Sequence, residues 1–206
     1  MSELIKHILT RRSVRKYEER TVKLKTLLKA LDAARWAPSA HNAQPWRYII
    51  LQDPSVKKAL AENMAAAWRR DLRKDGYGEE MIKQLTEESV NLFSSAPVIL
   101  IACLSMEGMH RYTDNRRRVL EYLMAVQSVS ASITNLLLAL HALNLGASWF
   151  CAPLFCPSTV RRTLSIPEDV NPQALITVGY PDEAPQPPPR RNLTDVVFMN
   201  RWGMRL

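Results

Sequence analysis

The most informative stretch of this 206-residue chain is PSAHNAQPW, residues 38–46, which joins a helical pattern to a strand pattern. Its two prolines, the first of them Pro38, fix an irregular loop. Ser39, Asn42 and Gln44 supply hydrogen-bond donors and acceptors within that loop. Amides placed in this way can recognise the donor and acceptor edge of a heterocycle. A loop whose polar groups only satisfy one another would explain this segment equally well.

Helical and strand patterns alternate on both sides of this loop. Leucine recurs at helical spacing over 24–36, and WRYIIL at 46–51 has the short, β-branched and aromatic composition of a strand. The same criteria predict further helices over 54–73, 79–93, 116–145 and 158–164, and further strands over 96–103, 147–150 and 174–179. We place Gly146 at the C-terminal cap of the long helix. This order predicts one domain of the mixed α+β class.

Two features predict surfaces that one copy of the chain does not cover. The helix over 116–145 is apolar nearly all round, so it needs neighbours on every side, in a bundle or at a subunit interface. Scattered polar residues within it argue against a membrane span. Five prolines between 181 and 189 exclude a central strand and indicate an extended arm lying over a surface, such as that of a partner.

Composition favours a soluble cytoplasmic protein that attracts anions. Lysine and arginine exceed aspartate and glutamate by eight, which suits nucleic acid, phosphorylated cofactors or carboxylated substrates, and equally a solvated basic surface. The chain starts directly in an amphipathic pattern, without a signal peptide. Three cysteines cannot all pair, which predicts free thiols in a reducing cytoplasm. The four histidines are scattered, with no ligand pair one helical turn apart, so we expect no metal site.

Two arginine-rich segments could bind a phosphate. The first, RRSVR at 11–15, packs three guanidinium groups and a hydroxyl into five residues. Arginine binds phosphate oxygens bidentately and stays protonated, so this cluster suits a phosphate monoester. A solvated surface run and a nucleic-acid contact are the alternatives. The second segment, Arg190 and Arg191, follows the proline arm, where a basic tail is the alternative.

Taken together, these segments resemble the nitroreductase-like FMN-dependent oxidoreductases over essentially the whole chain. Members of that family open with an Arg-Arg-Ser-x-Arg element, then carry Pro-Ser-x-x-Asn-x-Gln-Pro-Trp, and then a Gly-x-x-Trp strand and loop. All three occur here in that order. The resemblance implies an α+β nitroreductase-like fold, with a central mixed but mainly antiparallel sheet flanked by helices, in a domain-swapped homodimer. It also implies that residues 1–206 form a single FMN-binding domain, with an extended C-terminal arm from about 181 to 206.

The resemblance assigns three groups of residues to FMN: a cluster that grips the phosphate, a loop that contacts the ring and ribityl chain, commonly from the other subunit, and a loop that lies against the ring. The phosphate cluster comprises Arg11, Arg12, Ser13, Arg15, Arg190 and Arg191. The loop that contacts the ring and ribityl chain carries Pro38, Ser39, Asn42 and Gln44. The loop that lies against the ring carries Cys151, Ala152 and Leu154. Because Pro153 has no N–H, a hydrogen bond to the flavin's reactive nitrogen must come from Ala152 or Leu154. We expect no obligate catalytic acid or base, and Arg12 is the candidate to stabilise an anionic reduced flavin.

Within the family, the chain most resembles the flavin-binding C-terminal domain of the gamma-glutamyl ligase that matures the deazaflavin coenzyme. The likeness rests on WRRDL at 68–72 and SWFCAPLF at 148–155. In that relative the corresponding helix borders the deazaflavin site, which makes Trp68 and Asp71 candidate substrate contacts. An ordinary ion pair is the alternative for Asp71. Three arginines of the same helix, Arg69, Arg70 and Arg73, would suit an anionic acceptor or nicotinamide phosphates. The ligase domain is absent, so ligation is not implied.

The activity implied is electron transfer from NAD(P)H through bound FMN to a small electron-poor acceptor such as a nitroaromatic or a quinone. The alternatives are a reductase of a deazaflavin coenzyme precursor or another conjugated heterocycle, a non-enzymatic flavin-binding sensor or storage protein, and a basic nucleic-acid-binding module. The last has weak support, because the arginines fall where a phosphate-binding site needs them. We therefore expect a homodimer that binds neither nucleic acid nor a membrane.

Overall fold

One four-stranded sheet organises the computed structural model, which describes residues 2–205. Its strands are β1 (Trp46–Leu51), β2 (Val98–Ser105), β3 (Gly146–Phe150) and β4 (Val170–Gly179). They lie in the order β1-β2-β4-β3, and every neighbouring pair is antiparallel. A parallel contact occurs as an isolated bridge between Ser13 and Ala147. The prediction of a mainly antiparallel sheet is confirmed.

Helices connect and cover the strands. In the part of the chain that the structure describes they are α1 (Glu3–Thr10), α2 (Leu24–Ala34), α3 (Pro54–Lys74), α4 (Glu79–Ser95), α5 (Asn115–Ala142), α6 (Pro157–Leu164) and α7 (Leu193–Val196). The predicted helices begin and end within a few residues of the observed ones. Local chemistry explains this agreement: Asp53 caps α3 by accepting from the N–H groups of Ser55 and Val56, and Pro54 starts its first turn.

The end of α5 differs from the prediction. Gly146 does not cap the helix, because it is the first residue of β3. Asn144 instead adopts the left-handed conformation after the last turn, with φ of 59°. Gly146 is needed for another reason: a Cβ there would lie 2.8 Å from the Cβ of Val14. The glycine therefore allows the segment after α1 to pack directly on β3.

Two apolar layers bury both faces of the sheet. On one face, α2 and α5 pack against alternate strand residues, including Leu100 and Ile176. On the other face, α3, α4 and α6 pack against the intervening residues, including Ile101 and Leu175. Because successive side chains of a strand point to opposite faces, β2 is buried along its whole length. The loops that carry polar motifs are left at the edges of the sheet.

Helix α5 has the length and apolar composition to span a membrane, alone among the described helices. Its inner face packs against β2, β1 and β3, which is the behaviour of a core helix in a globular protein. Its first half leaves Val119, Leu120 and Leu123 about half exposed in the single chain. The helix therefore has an inner face that is covered and an outer face that is not.

Candidate functional site

A positively charged cleft of about 480 Å³ lies between the segment after α1 and the C-terminal arm. Arg11 and Arg12 line it, opposite the arm residues Pro185 and Pro187. Burial, followed by the positive charges of Arg12 and Arg190, lowers the pKa of Arg11. Within residues 2–205, none of the arginines assigned to the phosphate takes part in a salt bridge. Glu183 is the one carboxylate among the residues that line the cleft, so the net charge of the lining stays positive, which suits a dianionic phosphate.

The arginine segment is held in place by its backbone. Val14 donates its N–H to the carbonyl of Ala147 in β3, at 3.0 Å. The Tyr17 hydroxyl donates to the carbonyl of Val14 at 2.5 Å and lies 2.7 Å from the Thr177 hydroxyl in β4. Burial is the main cause that raises the pKa of Tyr17, so its hydroxyl remains a neutral donor. The arginine segment therefore starts from a fixed edge of the sheet. The Arg12 guanidinium turns back along it and donates to the carbonyls of Leu9 and Arg11, both at 2.8 Å.

The arm is tied to the same segment by one carboxylate. Glu183 accepts from the backbone N–H groups of Arg15 and Lys16, at 2.5 and 3.1 Å. This contact fixes the start of the arm beside the cleft. Of the two arm arginines predicted for the phosphate, Arg190 is the one whose charge lowers the pKa of Arg11. Arg191 is exposed on the arm.

Loop 38–46 has an unusual backbone. His41, Asn42 and Gln44 all have positive φ, at 55°, 53° and 46°, a conformation that is uncommon outside glycine. Hydrogen bonds within the protein hold this shape: Ser39 Oγ accepts from the N–H of Gln44 at 3.1 Å. Within residues 2–205, the exposed amide side chains of Asn42 and Gln44 have no hydrogen-bond partner, so they are available to a ligand.

A short 3-10 turn at Ala152–Phe155 follows β3 and carries the second predicted loop. Leu154 donates its N–H to the carbonyl of Cys151 at 3.0 Å. Of the two donors considered for the flavin nitrogen, Leu154 is therefore already engaged, which leaves Ala152. Cys151 is exposed at the start of the turn.

An apolar cavity of about 640 Å³ lies beside this turn, between α3 and α4. Trp68 and Asp71 line it together with Cys151 and Ala152, so the structure joins the predicted substrate residues to the predicted ring-facing loop. The guanidinium of Arg15 lies 5.8 Å from the centre of the Phe150 ring, which is another wall residue. The arginine segment and the cavity therefore lie along one edge of the sheet.

The loop at 38–46 lies at the opposite corner of the sheet from the arginine segment. Trp46 of β1 pairs with Leu104 at one end of β2. Gly146 of β3 pairs with Gly179 beyond the other end of β2, and β3 lies three strand spacings from β1. Strand rise and strand spacing place these corners roughly 25 Å apart. Within one chain the structure therefore does not bring the two predicted halves of the cofactor site together.

Comparison with known proteins decides the family. Residues 8–180 match the sequence profile of the nitroreductase family. The chain belongs to the nitroreductase family. A protein of Methanothermobacter thermautotrophicus named NADH dehydrogenase/NAD(P)H nitroreductase is 33% identical, over 97% of this chain and 88% of that protein. The NADH dehydrogenase of Thermus thermophilus is 29% identical, over 92% of each chain.

Solved structures confirm the nitroreductase fold. A crystal structure from Parabacteroides distasonis, named NADH dehydrogenase/NAD(P)H nitroreductase, superposes with a TM-score of 0.71 at 26% identity, over 98% of this chain and 100% of the other. A nitroreductase from Desulfovibrio desulfuricans in complex with FMN gives a TM-score of 0.73 at 23% identity, over 98% of this chain and 99% of the other. The second likeness shows the fold alone.

The nitroreductase chain also contains a cluster that the sequence did not reveal. His41, from the polar loop, lies with its Nε2 3.3 Å from Oε1 of Glu121, a carboxylate that is 3% exposed. The backbone N–H of His110 donates to the other oxygen of Glu121, at 3.3 Å, and the two imidazole rings stack with centres 3.9 Å apart. The ring nitrogens and carboxylate lie within 4.8 Å of one another. Histidines that are scattered in the sequence therefore meet in the fold, as do His7 and His141, whose ring centres are 5.4 Å apart.

These three residues are a donor set that a transition metal accepts, but protein contacts already hold them. Glu121 receives a hydrogen bond from each of the two histidine-bearing loops. The His41 contact ties the polar loop of this nitroreductase to α5. The residues lie 11 and 80 positions from Glu121 in the sequence, on separate elements, so no local spacing could have shown the cluster.

Proposed function

We propose that this chain is an FMN-dependent oxidoreductase that uses NAD(P)H to reduce a small electron-poor acceptor, such as a nitroaromatic or a quinone. The observation that carries the proposal is a cleft with net positive charge, lined by Arg11 and Arg12, on the same sheet edge as an apolar cavity. Arg11, Arg12 and Arg190 would bind the phosphate, and Ala152 would donate its N–H to the ring. For a quinone the balance is quinone + NAD(P)H + H⁺ → quinol + NAD(P)⁺.

Bound FMN supplies the electron-transfer chemistry, and the side chains bind and orient rather than react. The segment 11–15 is rigid, because β3 and Tyr17 hold its backbone. Aromatic side chains beside Cys151, including Trp68 and Phe155, would contact an acceptor where it meets the ring. No side chain here is required to form a covalent bond, so we assign no catalytic residue.

We also propose that the functional unit is a homodimer in which the loop at 38–46 completes the partner's flavin site. The separation of the two half-sites by roughly 25 Å within one chain supports this arrangement. An intertwined pair would bring the exposed amides of Asn42 and Gln44 to the partner's arginine cluster. The free thiols of Cys103, Cys151 and Cys156 support a cytoplasmic location.

A second candidate is the reduction of a deazaflavin coenzyme precursor or another conjugated heterocycle. The position of Trp68 on the cavity wall next to the Cys151 turn supports it, because an indole can stack on a planar ring system. The likeness of WRRDL to the deazaflavin-binding helix favours the same ligand class. A screen of nitroaromatic, quinone and deazaflavin acceptors with the same enzyme would rank the two candidates.

The decisive experiment is anaerobic addition of NADH or NADPH to the FMN-loaded protein. We expect the visible flavin absorbance to bleach and to return when a nitroaromatic or quinone is added. Bleaching without reoxidation by any acceptor would favour the flavin-binding sensor or storage protein. A protein that does not bind FMN would contradict the proposal outright.

A further inference from the structure

The cavity between α3 and α4 differs in charge from the rest of the molecule. The chain carries a formal net charge of +8. The cavity nevertheless contains three carboxylates among its walls, from Asp71, Asp75 and Glu88, and no lysine or arginine. Its remaining surface is dominated by aromatic and aliphatic side chains, including Trp68 and Phe155. An acidic rim on an apolar pocket is unexpected in a basic protein.

The arginines of α3 point away from this cavity, which corrects their expected role. Arg69 donates to the Thr86 hydroxyl at 3.0 Å. Arg73 binds both carboxylate oxygens of Glu79, at 2.7 and 2.9 Å. Arg70 lines a separate cleft on the α6 side of the helix. None of the three therefore lines the cavity.

Two other cations approach the rim without neutralising it. The Lys74 ammonium lies 3.4 Å from Asp71, but its side chain is 77% exposed, so water and salt weaken that pair. Arg15 lies over Phe150 at 5.8 Å and belongs to the segment assigned to the cofactor phosphate, which would take up its charge. The formally charged residues that line the cavity are therefore all carboxylates.

We propose that this cavity binds the electron acceptor and selects planar aromatic acceptors that are neutral or positively charged over anionic ones. The proposal rests on the proposed function, since it concerns the acceptor of that same site. Aromatic walls hold a planar ring, and a positive substituent gains from the rim carboxylates and from the face of Trp68. An anionic substituent meets like charge on entry. The flat aromatic part of an acceptor enters, and its charged groups decide the affinity.

A matched series of nitrobenzenes tests this selectivity. The probes are 4-nitrobenzoate, 4-nitrobenzamide and (4-nitrobenzyl)trimethylammonium, which share the ring and differ in charge. Binding to the oxidised FMN holoenzyme, without NAD(P)H, is followed by quenching of tryptophan fluorescence. We expect the cation and the amide to bind about tenfold more tightly than the benzoate at low ionic strength, and the difference to shrink in salt.

Each variant is compared with the unaltered enzyme on the same three probes, so differences in intrinsic reactivity between the probes cancel. In Asp71→Asn and in Glu88→Gln the preference against 4-nitrobenzoate should fall several-fold, both in binding and in kcat/KM. Glu87→Gln is the matched control, because Glu87 is exposed on the same helix next to Glu88 but outside the cavity, and it should leave the preference unchanged.

The outcomes separate this proposal from the function on which it rests. If NAD(P)H fails to bleach the flavin, the proposed function is wrong, whereas the binding order of the three probes still tests the cavity. If 4-nitrobenzoate binds as tightly as the other two, or if Glu87→Gln changes the preference as much as Asp71→Asn, the charge selectivity is wrong even for an active reductase.

Discussion

At the scale of single residues, the phosphate cleft contains more positive charge than the protein neutralises. Arg11, Arg12 and Arg190 repel one another, and the lowered pKa of Arg11 reflects its burial together with that repulsion. Such an arrangement destabilises the empty protein locally and gains free energy when a phosphate binds. Glu121 is the opposite case, because its buried negative charge is matched by hydrogen-bond donors from His41 and His110.

The first prediction concerns phosphate binding. Arg11→Ala should weaken FMN by about 1.5–3 kcal/mol, the scale of a hydrogen bond to a charged group. Riboflavin, which lacks the phosphate, should bind the unaltered protein poorly and should be insensitive to the substitution. Fluorescence titration of both flavins measures this. Arg162→Ala, on the exposed surface of α6, is the control. Equal affinity for riboflavin and FMN would show that the cleft does not hold the phosphate.

The second prediction concerns the strained loop. Glu121→Ala removes the acceptor for His41 and for the His110 N–H. We expect a loss of about 1–3 kcal/mol in the free energy of unfolding, because two part-buried hydrogen bonds to a charged carboxylate are lost. FMN affinity should fall as well, since the loop at 38–46 loses its shape. Chemical denaturation and flavin titration measure the two effects, with the exposed Glu80→Gln as control. Unchanged FMN affinity would show that the Glu121 cluster has no role in cofactor binding.

At the scale of elements, the faces of α3 have different neighbours and different roles. One face packs into the core through Leu60 and Met64. A second carries Arg70 toward α6, and a third presents Trp68 and Asp71 to the cavity. Because the helix is anchored by its core face, substitutions on the cavity face should affect the acceptor without disturbing the fold.

The third prediction follows from that separation. Trp68→Leu should raise the KM of aromatic acceptors several-fold, because a stacked aromatic contact is lost, while FMN content and its affinity stay unchanged. Lys58→Ala, on the exposed side of the same helix, should change neither quantity. Steady-state kinetics with a nitroaromatic and a quinone provide the test. Normal KM values for every acceptor would assign α3 a structural role only.

At the scale of the whole molecule, the single chain exposes more surface than a folded monomer should. Its accessible surface is 13115 Å², whereas a folded monomer of 23.5 kDa exposes about 9,800 Å². Large apolar side chains are exposed on α1, α5 and the arm, at Leu9, Leu120 and Trp202 among others. Large exposed apolar surfaces indicate an interface, and the proposed homodimer would bury these together.

The fourth prediction tests that dimer. Truncation after Pro185 removes Trp202 with the rest of the arm, and also Arg190 and Arg191. It should therefore weaken the dimer and FMN binding together. The matched variant is the full-length double substitution Arg190→Ala and Arg191→Ala. This variant should lose FMN affinity but remain dimeric, because the apolar part of the arm is intact.

Light scattering with flavin absorbance read alongside measures both properties in each variant. A native monomer that retains stoichiometric FMN would contradict the shared site. A truncated protein that stays fully dimeric would show that the arm is not needed for the interface. We predict that residues 1–206 form a single domain with an extended arm from about 181 to 206. The same truncation tests this prediction, because it removes most of the arm.

The sequence by itself determined the elements, the family and the composition of the half-sites. Periodicity, proline positions and capping residues are local signals, so the limits of α3 and β1 could be predicted closely. The arginine segment and the loop at 38–46 were also recognisable, because motif spacing is a property of the chain.

Only the tertiary structure decided which residues meet. The direction of Arg69, Arg70 and Arg73 away from the cavity depends on how α3 rotates against its neighbours, which periodicity does not specify for polar residues. The partnership of His41 with Glu121 spans 80 positions and depends on where α5 crosses the loop. Gly146 was assigned to the wrong role because its neighbour, Val14, is distant in sequence and near in space. Strand order placed the two half-sites at opposite corners of the sheet, since backbone hydrogen bonding and core packing, not motif spacing, set the distance between them.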